Sequence, residues 1–167
     1  LEFRRVLFRS EIEAPAASLW QLTLDIERWP TLFPTVTSVS RVDAGPMRVG
    51  SSARIAQPGQ PERIWTVTEC TPPERFVWKT KGFGFSMTAV QAITAISPRR
   101  AANALTIEVE GPLSGLLVAL VGGRIRSVLA TENDGFRRAA EAMTNSAADL
   151  SQEAATGAPH ASRSNRG

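Results

Sequence analysis

Four polar side chains lie in otherwise apolar or alternating segments, where they could do chemistry if they point into the protein. One of them, Arg54, is flanked by Ala53 and Ile55. An inward guanidinium there could hold a carboxylate or an enolate oxygen through paired N–H groups. An outward guanidinium would be a solvated strand charge, and strand alternation by itself leaves both orientations open.

The other three candidates are Glu69, Gln91 and Arg124. Glu69 alternates with Trp65 and Val67, so it could face the interior as a general base, or it could be an exposed carboxylate at a strand end. Gln91 lies among apolar residues; it can hydrogen-bond a ligand but cannot shuttle a proton near neutral pH. Arg124 follows two glycines in a helical segment and is either a ligand contact or a surface charge.

Residue types that commonly perform catalysis are scarce. The chain has no tyrosine and one histidine, His160, which lies in a tail rich in alanine, serine and glycine. The single cysteine, Cys70, has no histidine to activate it, and we interpret it as an incidental small apolar residue. No His, Cys or carboxylate cluster has metal-ligand spacing, and Gly82-Phe83-Gly84 lacks the other features of a phosphate-binding loop. We therefore expect no metal and no cofactor.

The pattern of apolar residues predicts a strand, two short helices, six further strands and a long helix. The first strand ends at 11–13, Pro15 suits the start of a helix over 16–25, and prolines end a short second helix over 25–30. Beyond residue 36 apolar residues recur with period two between turn residues, which predicts an antiparallel meander. The predicted strands are 36–42, 51–57, 63–69, 75–81, 85–97 and 104–110.

The long helix is predicted over 113–148 and should pack on the concave face of the sheet. Its predicted apolar face consists of Leu116, Leu117, Leu120, Val121, Ile125, Val128 and Leu129, continued by Phe136, Ala140 and Met143. We expect breaks or kinks at Gly122-Gly123 and at Asn133-Asp134-Gly135. Residues 149–167 are predicted to form a disordered tail.

The charge balance argues against a nucleic-acid partner. The chain has 19 basic and 16 acidic residues, but 11–156 hold 14 basic and 15 acidic residues, so the excess is peripheral. The longest apolar run, 116–121, is too short to span a membrane, and we expect no membrane span. The lone cysteine fits a reducing compartment, so we predict a cytoplasmic location.

The order of these elements and several short motifs resemble the START-like (SRPBCC) superfamily, and within it the polyketide cyclase/dehydrase and lipid-transport family. The motifs are Glu13-Ala14-Pro15, Leu19-Trp20, Asp25 through Pro30, Gly50, Gln57-Pro58-Gly59, Trp65 through Glu69, Arg75 through Trp78, Leu105 through Leu113, and Gly135 through Glu141. The resemblance implies an α+β helix-grip fold. In that fold a curved antiparallel sheet of about seven strands wraps around a long C-terminal helix, with two short helices after the first strand.

The same resemblance implies a ligand-binding cavity between the sheet and the long helix. The predicted ligand-binding residues are Trp20, Arg54, Trp65, Glu69, Trp78, Phe85, Met87, Gln91, Leu117, Val121, Arg124 and Ile125, with Phe33, Ile55 and Leu129 as further candidates for the lining. Each apolar member could instead be ordinary core packing. No catalytic residue is assigned.

Three functions fit these observations. The first is binding or transport of a hydrophobic or amphipathic small molecule, favoured by the aromatic interior and the sparse acid–base groups. The second is a polyketide cyclase/dehydratase-type enzyme on a carbonyl substrate, with Arg54 stabilising an enolate and Glu69 or Gln91 orienting proton transfer. The third is a regulatory protein-interaction module whose cavity is filled by side chains. Whether the protein is an enzyme, which ligand it takes and its oligomeric state stay open.

Residues 1–10, LEFRRVLFRS, match one translated frame of a common short-read sequencing adapter. We predict that this segment is non-native, that Glu11 is the first native residue present, and that some native sequence upstream of it is lost, so the START-like domain spans 11–148 here. Phe3, Val6 and Phe8 are good strand formers and could pair at a sheet edge whatever their origin, since backbone pairing depends little on side-chain identity.

Overall fold

The computed structural model describes residues 3–82 and 84–156. Its strands are β1 (Phe3–Ile12), β2 (Ser38–Arg41), β3 (Ser52–Ala56), β4 (Arg63–Thr71), β5 (Arg75–Gly82), β6 (Phe85–Ser97) and β7 (Arg100–Glu110). Its helices are α1 (Ala16–Leu24), α2 (Trp29–Leu32) and α3 (Ser114–Thr156), and a 3-10 turn covers Ile26–Arg28. His160, the remainder of the predicted tail over 157–167 and Phe83 lie outside the described residues.

All the strands form one antiparallel sheet in the order β1-β7-β6-β5-β4-β3-β2. The strands from β2 to β7 pair consecutively as the predicted meander, and β1 joins the far edge by pairing with β7. The sheet curves around α3, α1 packs against β6, β7 and α3, and α2 packs against β2 and α3. The predicted helix-grip fold is confirmed.

The apolar face of α3 differs in part from the prediction. Leu129 and Phe136 are 3% and 2% exposed and belong to the core, and Ile125 packs against it. Leu116 and Leu120, which we placed on the same face, are 59% and 74% exposed. The error arose because the first half of the helix is apolar on both sides, so its composition does not show which side faces the sheet.

Of the breaks or kinks predicted in α3, the breaks are wrong, because the helix is continuous through both glycine-containing segments. Gly135 serves a close approach instead: a Cβ there would lie 2.6 Å from the Leu32 carbonyl oxygen and 2.6 Å from Phe33 Cδ1. Asn133 is buried and donates and accepts hydrogen bonds within the core. In the segment 133–135, the residues that suggested a helix break therefore serve the packing of the helix.

The C-terminal end of α3 also lies later than predicted. Residues 149–156, assigned to a disordered tail, are helical and exposed. Their sequence, DLSQEAAT, contains alanine, glutamine, glutamate and leucine, which favour a helix even without tertiary packing.

Residues 3–10 pair with β7 along their whole length, in the register Phe3↔Glu110 to Ser10↔Asn103. Val6 is buried, the Arg5 guanidinium lies 2.7 Å from the Glu108 carboxylate, and the Asn133 side-chain N–H donates to the Ser10 hydroxyl. Such pairing at a sheet edge is expected of a native or a non-native segment, so the non-native origin of residues 1–10 stays a prediction.

α3 is long enough and apolar enough to cross a membrane. Core helices of soluble proteins meet the same two criteria. In the most apolar 18-residue stretch of α3, 11% is buried inside the protein. The expectation of no membrane span, made from the length of the apolar run, therefore stays a prediction.

Candidate functional site

A cavity of about 310 Å³ lies between the concave face of the sheet and the first half of α3. Its lining is mainly apolar and aromatic: Trp29, Val36, Ile55, Trp65, Trp78, Phe85, Met87, Ala89, Ile107, Leu117, Val121, Ile125, Val128 and Leu129, with Gln57, Gln60, Arg63, Arg124 and Glu132 as its polar members. Side chains therefore do not fill it, which removes the assumption behind the regulatory alternative.

Most of the predicted ligand-binding residues border this cavity. They are Trp65, Trp78, Phe85, Met87, Leu117, Val121, Arg124 and Ile125, together with Ile55 and Leu129 from the wider set. Trp20 and Phe33 do not border it; they are 8% and 3% exposed and pack in the core. Whether any bordering residue contacts a ligand stays a prediction.

Three tryptophans form one wall of the cavity. The Trp78 ring centroid lies 5.2 Å from that of Trp29 in an edge-on arrangement and 5.5 Å from that of Trp65. Trp29 donates its indole N–H to the Leu22 carbonyl oxygen at 3.1 Å, which fixes the ring against α1. Sequence reasoning treated Trp29 only as part of a short helix, although Pro30 at the helix start and the preceding Ile26 indicate a buried turn.

Arg54 points away from the cavity. Ala53 and Ile55 on either side are buried, so the alternation of β3 places the arginine on the outer face. Its guanidinium lies 3.7 Å from the Glu62 carboxylate, and its side chain is 54% exposed. It cannot stabilise an enolate in the cavity.

Glu69 also lies outside the cavity, because β4 is irregular. Val67 pairs with Trp78, but Glu69 pairs with Val77, so the register shifts between the two β4 residues. The bulge interrupts the period-two pattern that aligned Glu69 with Trp65. The Glu69 carboxylate instead accepts a hydrogen bond from Arg75 at 3.1 Å, with 43% of its side chain exposed.

Gln91 faces inward but lies beyond the end of the cavity. Met87 and Ala89 on the same strand border the cavity, whereas Gln91 is covered by α1. Its side chain accepts a hydrogen bond from the Thr23 hydroxyl at 2.9 Å and donates to Asn103 Oδ1 at 2.9 Å. This network holds the sheet against α1 and uses both the amide oxygen and the amide nitrogen of Gln91 within the core.

Asn103 and Asn133 continue the same buried network. Asn103 donates to Asn133 Oδ1 at 2.7 Å, and Asn133 in turn donates to Ser10. A chain of satisfied amides therefore links β6, β7, α3 and β1 across the core, as buried polar groups require.

Glu132 is the cavity carboxyl that sequence reasoning missed. It accepts a hydrogen bond from the Thr35 hydroxyl at 3.0 Å. Burial raises the pKa of Glu132 to about 7, and the Thr35 hydrogen bond offsets part of that rise. The available signal was helical spacing, since Glu132 follows Ile125 by seven residues and Leu129 by three and so shares their face.

Arg63 and Arg124 border the cavity on the side where it meets solvent, near Gln57 and the exposed Gln60. Alternation in β4 places Arg63 on the same face as Trp65 and Val67. The same alternation was the reason for considering Glu69 as an inward residue. Arg124 lies on the cavity face of α3. The site thus combines an apolar interior, a carboxyl at one end and guanidinium groups at the mouth.

Cys70 does not border the cavity. It lies near the end of β4, and burial raises the pKa of its thiol, which disfavours the reactive thiolate.

Residues 5–141 match the model of the family described as polyketide cyclase / dehydrase and lipid transport. The chain belongs to this family. The match begins within residues 1–10, at the strand that pairs with β7. No curated protein matches the chain in sequence.

Solved structures with the same fold include a START superfamily protein, a synthase and an aromatase/cyclase. A START superfamily protein from Mycobacterium smegmatis has 19% identity and a TM-score of 0.66, covering 80% of this chain and 97% of its own. Norcoclaurine synthase from Thalictrum flavum, in complex with dopamine and hydroxybenzaldehyde, has 14% identity and a TM-score of 0.65, covering 82% and 86%. An aromatase/cyclase from a Streptomyces species has 16% identity and a TM-score of 0.62, covering 82% and 96%. At these identities the likeness establishes the fold of this family member and not its activity.

Proposed function

We propose that this protein binds a hydrophobic or amphipathic small molecule in the cavity between the sheet and α3. The observation that carries the proposal is the cavity itself, about 310 Å³ in volume and walled by Trp29, Trp65 and Trp78. Small-molecule sites have volumes of roughly 300–1,000 Å³ and mainly apolar linings with a few polar groups. The family description, which includes lipid transport, supports the same function.

The energetics favour an amphipathic ligand over a purely apolar one. A molecule burying on the order of 200 Å² of apolar surface gains about 5 kcal/mol, from which the loss of its free motion must be subtracted. Apolar burial alone in so small a cavity therefore gives weak binding. Polar groups at the mouth or at Glu132 must supply the remaining affinity and the specificity.

The experiment compares two phenylalanine variants at adjacent positions of α3. Val121→Phe places a larger side chain in the cavity, whereas Leu120→Phe changes an exposed position. Each protein is purified without denaturation, and released small molecules are identified by mass spectrometry. We expect wild type and Leu120→Phe to carry the same compound and Val121→Phe to have lost it.

Thermal unfolding of both variants provides the control for folding. A wild-type protein that releases no compound and shows no change of tryptophan fluorescence with a panel of apolar and amphipathic molecules would contradict the proposal. Equal binding by wild type and a folded Val121→Phe would place the ligand outside the cavity and contradict it as well.

Glu132 favours a second candidate function, a cyclase/dehydratase-type reaction on a carbonyl substrate. A cavity carboxyl with a pKa of about 7 can take a proton from the carbon next to a carbonyl and return it to the oxygen that leaves as water. This assignment replaces Arg54 and Glu69, which are outside the cavity.

The test uses a β-hydroxy ketone carrying a phenyl ring, whose loss of water gives a conjugated product detectable by ultraviolet absorbance. For an enzyme we expect turnover by wild type and loss of about 100-fold or more in Glu132→Gln, while both proteins still bind the ketone. Binding without turnover by wild type would favour the carrier function.

A further inference from the structure

Among the residues that the structure describes, the two arginines that border the cavity, Arg63 and Arg124, have no acidic partner. Within residues 3–82 and 84–156, the structure records ion pairs for Arg54, Arg75 and Arg100 but none for Arg63 or Arg124. Among the described lining residues Glu132 is the single carboxylate, and its hydrogen-bond partner is Thr35.

Arg63 is held in place by neutral groups. Its guanidinium carbon lies 5.2 Å from the centroid of the Phe85 ring, a cation–π contact. Gly82 leaves room for it, since a Cβ there would lie 2.9 Å from Arg63 Nη1. Its Nε is buried and has no hydrogen-bond partner in the described part of the chain. A buried donor of this kind favours a partner that the protein does not supply.

Arg124 reaches the same region from α3. Its Nη2 lies 3.7 Å from the position that a Cβ on Gly59 would occupy, so its guanidinium packs on the turn between β3 and β4. Arg63, the first residue of β4, directly follows that turn. Gln57 and Gln60, within the turn, add side-chain amides to the same mouth.

We propose that the cavity takes an amphipathic organic anion, with its acid group between Arg63 and Arg124 at the mouth and its apolar body between α3 and the tryptophan wall. This inference rests on the proposed function, since it requires that the cavity is the ligand site. Two guanidinium groups without acidic partners match an acid group, which each can bind through charge-assisted hydrogen bonds.

The position of Glu132 sets the orientation of the anion. Eight residues of helix separate it from Arg124, which corresponds to about 12 Å along α3. An acid group placed near Glu132 would meet another carboxyl in an apolar environment, whereas at the mouth it meets positive charge and solvent. The apolar end of the ligand therefore points toward Glu132.

The test measures the affinity of four probes with the same chain and different head groups: decanoate, decyl phosphate, decanol and decylamine. Binding is followed near neutral pH by tryptophan fluorescence and calorimetry, below the concentration at which each probe forms micelles. We expect at least one anion to bind about tenfold or more tighter than decanol, and decylamine to bind weakest. The stronger of the two anions identifies a carboxylate or a phosphate as the natural head group.

Arginine variants give the second readout. Arg63→Gln and Arg124→Gln should each weaken binding of the preferred anion by about tenfold and leave decanol within about twofold. Arg54→Gln and Arg126→Gln, at arginines outside the cavity lining, are the matched strand and helix controls and should change neither affinity. Arg124 is exposed, so its variant should keep its fold even if Arg63→Gln is unstable.

The outcomes separate this inference from the proposed function. If decanol and decylamine bind as tightly as the anions, and Val121→Phe blocks them all, the cavity is a binding site but the anion proposal is wrong. If anions bind preferentially and Arg124→Gln has no effect, the proposal is also wrong. If no probe binds to wild type, the proposed function fails with it.

Discussion

Glu132 connects the cavity to the stability of the protein. The pKa of its carboxyl is about 7 in the folded protein against an ordinary value of 4.5. The folded state therefore holds this proton more tightly than the unfolded state does. The stability contributed by protonated Glu132 is fully present below about pH 4.5 and is lost as the pH rises through about 7.

Replacing Glu132 by glutamine should remove this pH dependence. Glu132→Gln keeps the hydrogen bond with Thr35 but carries no charge at any pH. Because the cavity admits water, we expect wild type to lose about 1–2 kcal/mol of unfolding free energy relative to the variant between about pH 5 and pH 8. Urea denaturation at a series of pH values measures the difference.

The control for this comparison is Glu153→Gln, an exposed position of the same helix. Its unfolding free energy should run parallel to that of wild type across the pH range. Parallel curves for wild type and Glu132→Gln would show that the carboxyl is hydrated and titrates normally.

Gln91 gives a second test at the residue scale, because its placement in the core rather than the cavity separates stability from binding. Gln91→Met leaves Asn103 Oδ1 without its donor, which should lower the unfolding free energy by about 1–3 kcal/mol. Decanol affinity should not change. Met87→Gln, on the same face of β6 but bordering the cavity, should show the opposite pattern, with weaker decanol binding.

A Gln91→Met variant with weakened decanol binding and unchanged urea midpoint would instead return Gln91 to the ligand site. The two variants differ by four positions on one strand, so the comparison depends on where the cavity ends and not on which strand is altered.

Individual site residues were harder to predict than the fold, for reasons that differ between them. Arg54 was left undecided, although the apolar Ala53 and Ile55 beside it already favoured an outward orientation. Of the two orientations considered for Glu69, the structure shows the exposed one, because a bulge in β4 that the sequence pattern does not reveal interrupts the alternation with Trp65. Arg63 alternates with Trp65 and Val67 in the same way and so shares their face of β4. It was not selected as a site residue, since a charge at the start of a strand usually lies at the surface.

At the scale of elements, α3 shows what composition does and does not determine. Helix periodicity located it, and three residues of the predicted apolar face, Leu129, Phe136 and Ala140, are buried in the core. The predicted breaks were wrong because glycine has two uses in a helix. It can end one, and it can allow a neighbouring backbone to approach closely.

Alanine substitutions at two glycines of α3 distinguish these uses. Alanine favours a helix by about 1 kcal/mol over glycine. At Gly123 nothing lies within 4 Å of an added Cβ, so Gly123→Ala should stabilise the protein by about 0.5–1 kcal/mol. At Gly135 the added Cβ would lie 2.6 Å from the Leu32 carbonyl oxygen, so Gly135→Ala should destabilise it by about 1–3 kcal/mol.

Urea denaturation of both variants at one pH gives the comparison. Stabilisation by both substitutions would mean that α2 moves freely away from α3. Destabilisation by both would mean that Gly123 is in contact with another group in solution.

At the scale of the whole molecule, the order of elements was predictable and the identity of the first strand was not. Turn residues at regular intervals located every strand from β2 to β7 within a few residues, because consecutive strands of the meander are joined by short turns rich in glycine and proline. β1 required only a segment able to pair with β7. That requirement does not distinguish a native sequence from a translated adapter.

The origin of residues 1–10 leads to a prediction about binding and stability together. None of residues 4–10 borders the cavity, so deletion of residues 1–9 should leave the affinity of the preferred decyl anion within about twofold in the folded fraction. The deletion removes Val6 from the core and exposes the edge of β7, and it should lower the unfolding free energy by about 3 kcal/mol or more.

A milder variant, Leu7→Thr with Arg9→Thr, changes outward side chains and keeps the strand; it should bind and unfold as wild type does. Weaker binding by this double variant would indicate that the segment takes part in the function. Resequencing the source gene across the junction with Glu11 decides the origin itself, since an uninterrupted frame encoding LEFRRVLFRS would contradict the adapter assignment.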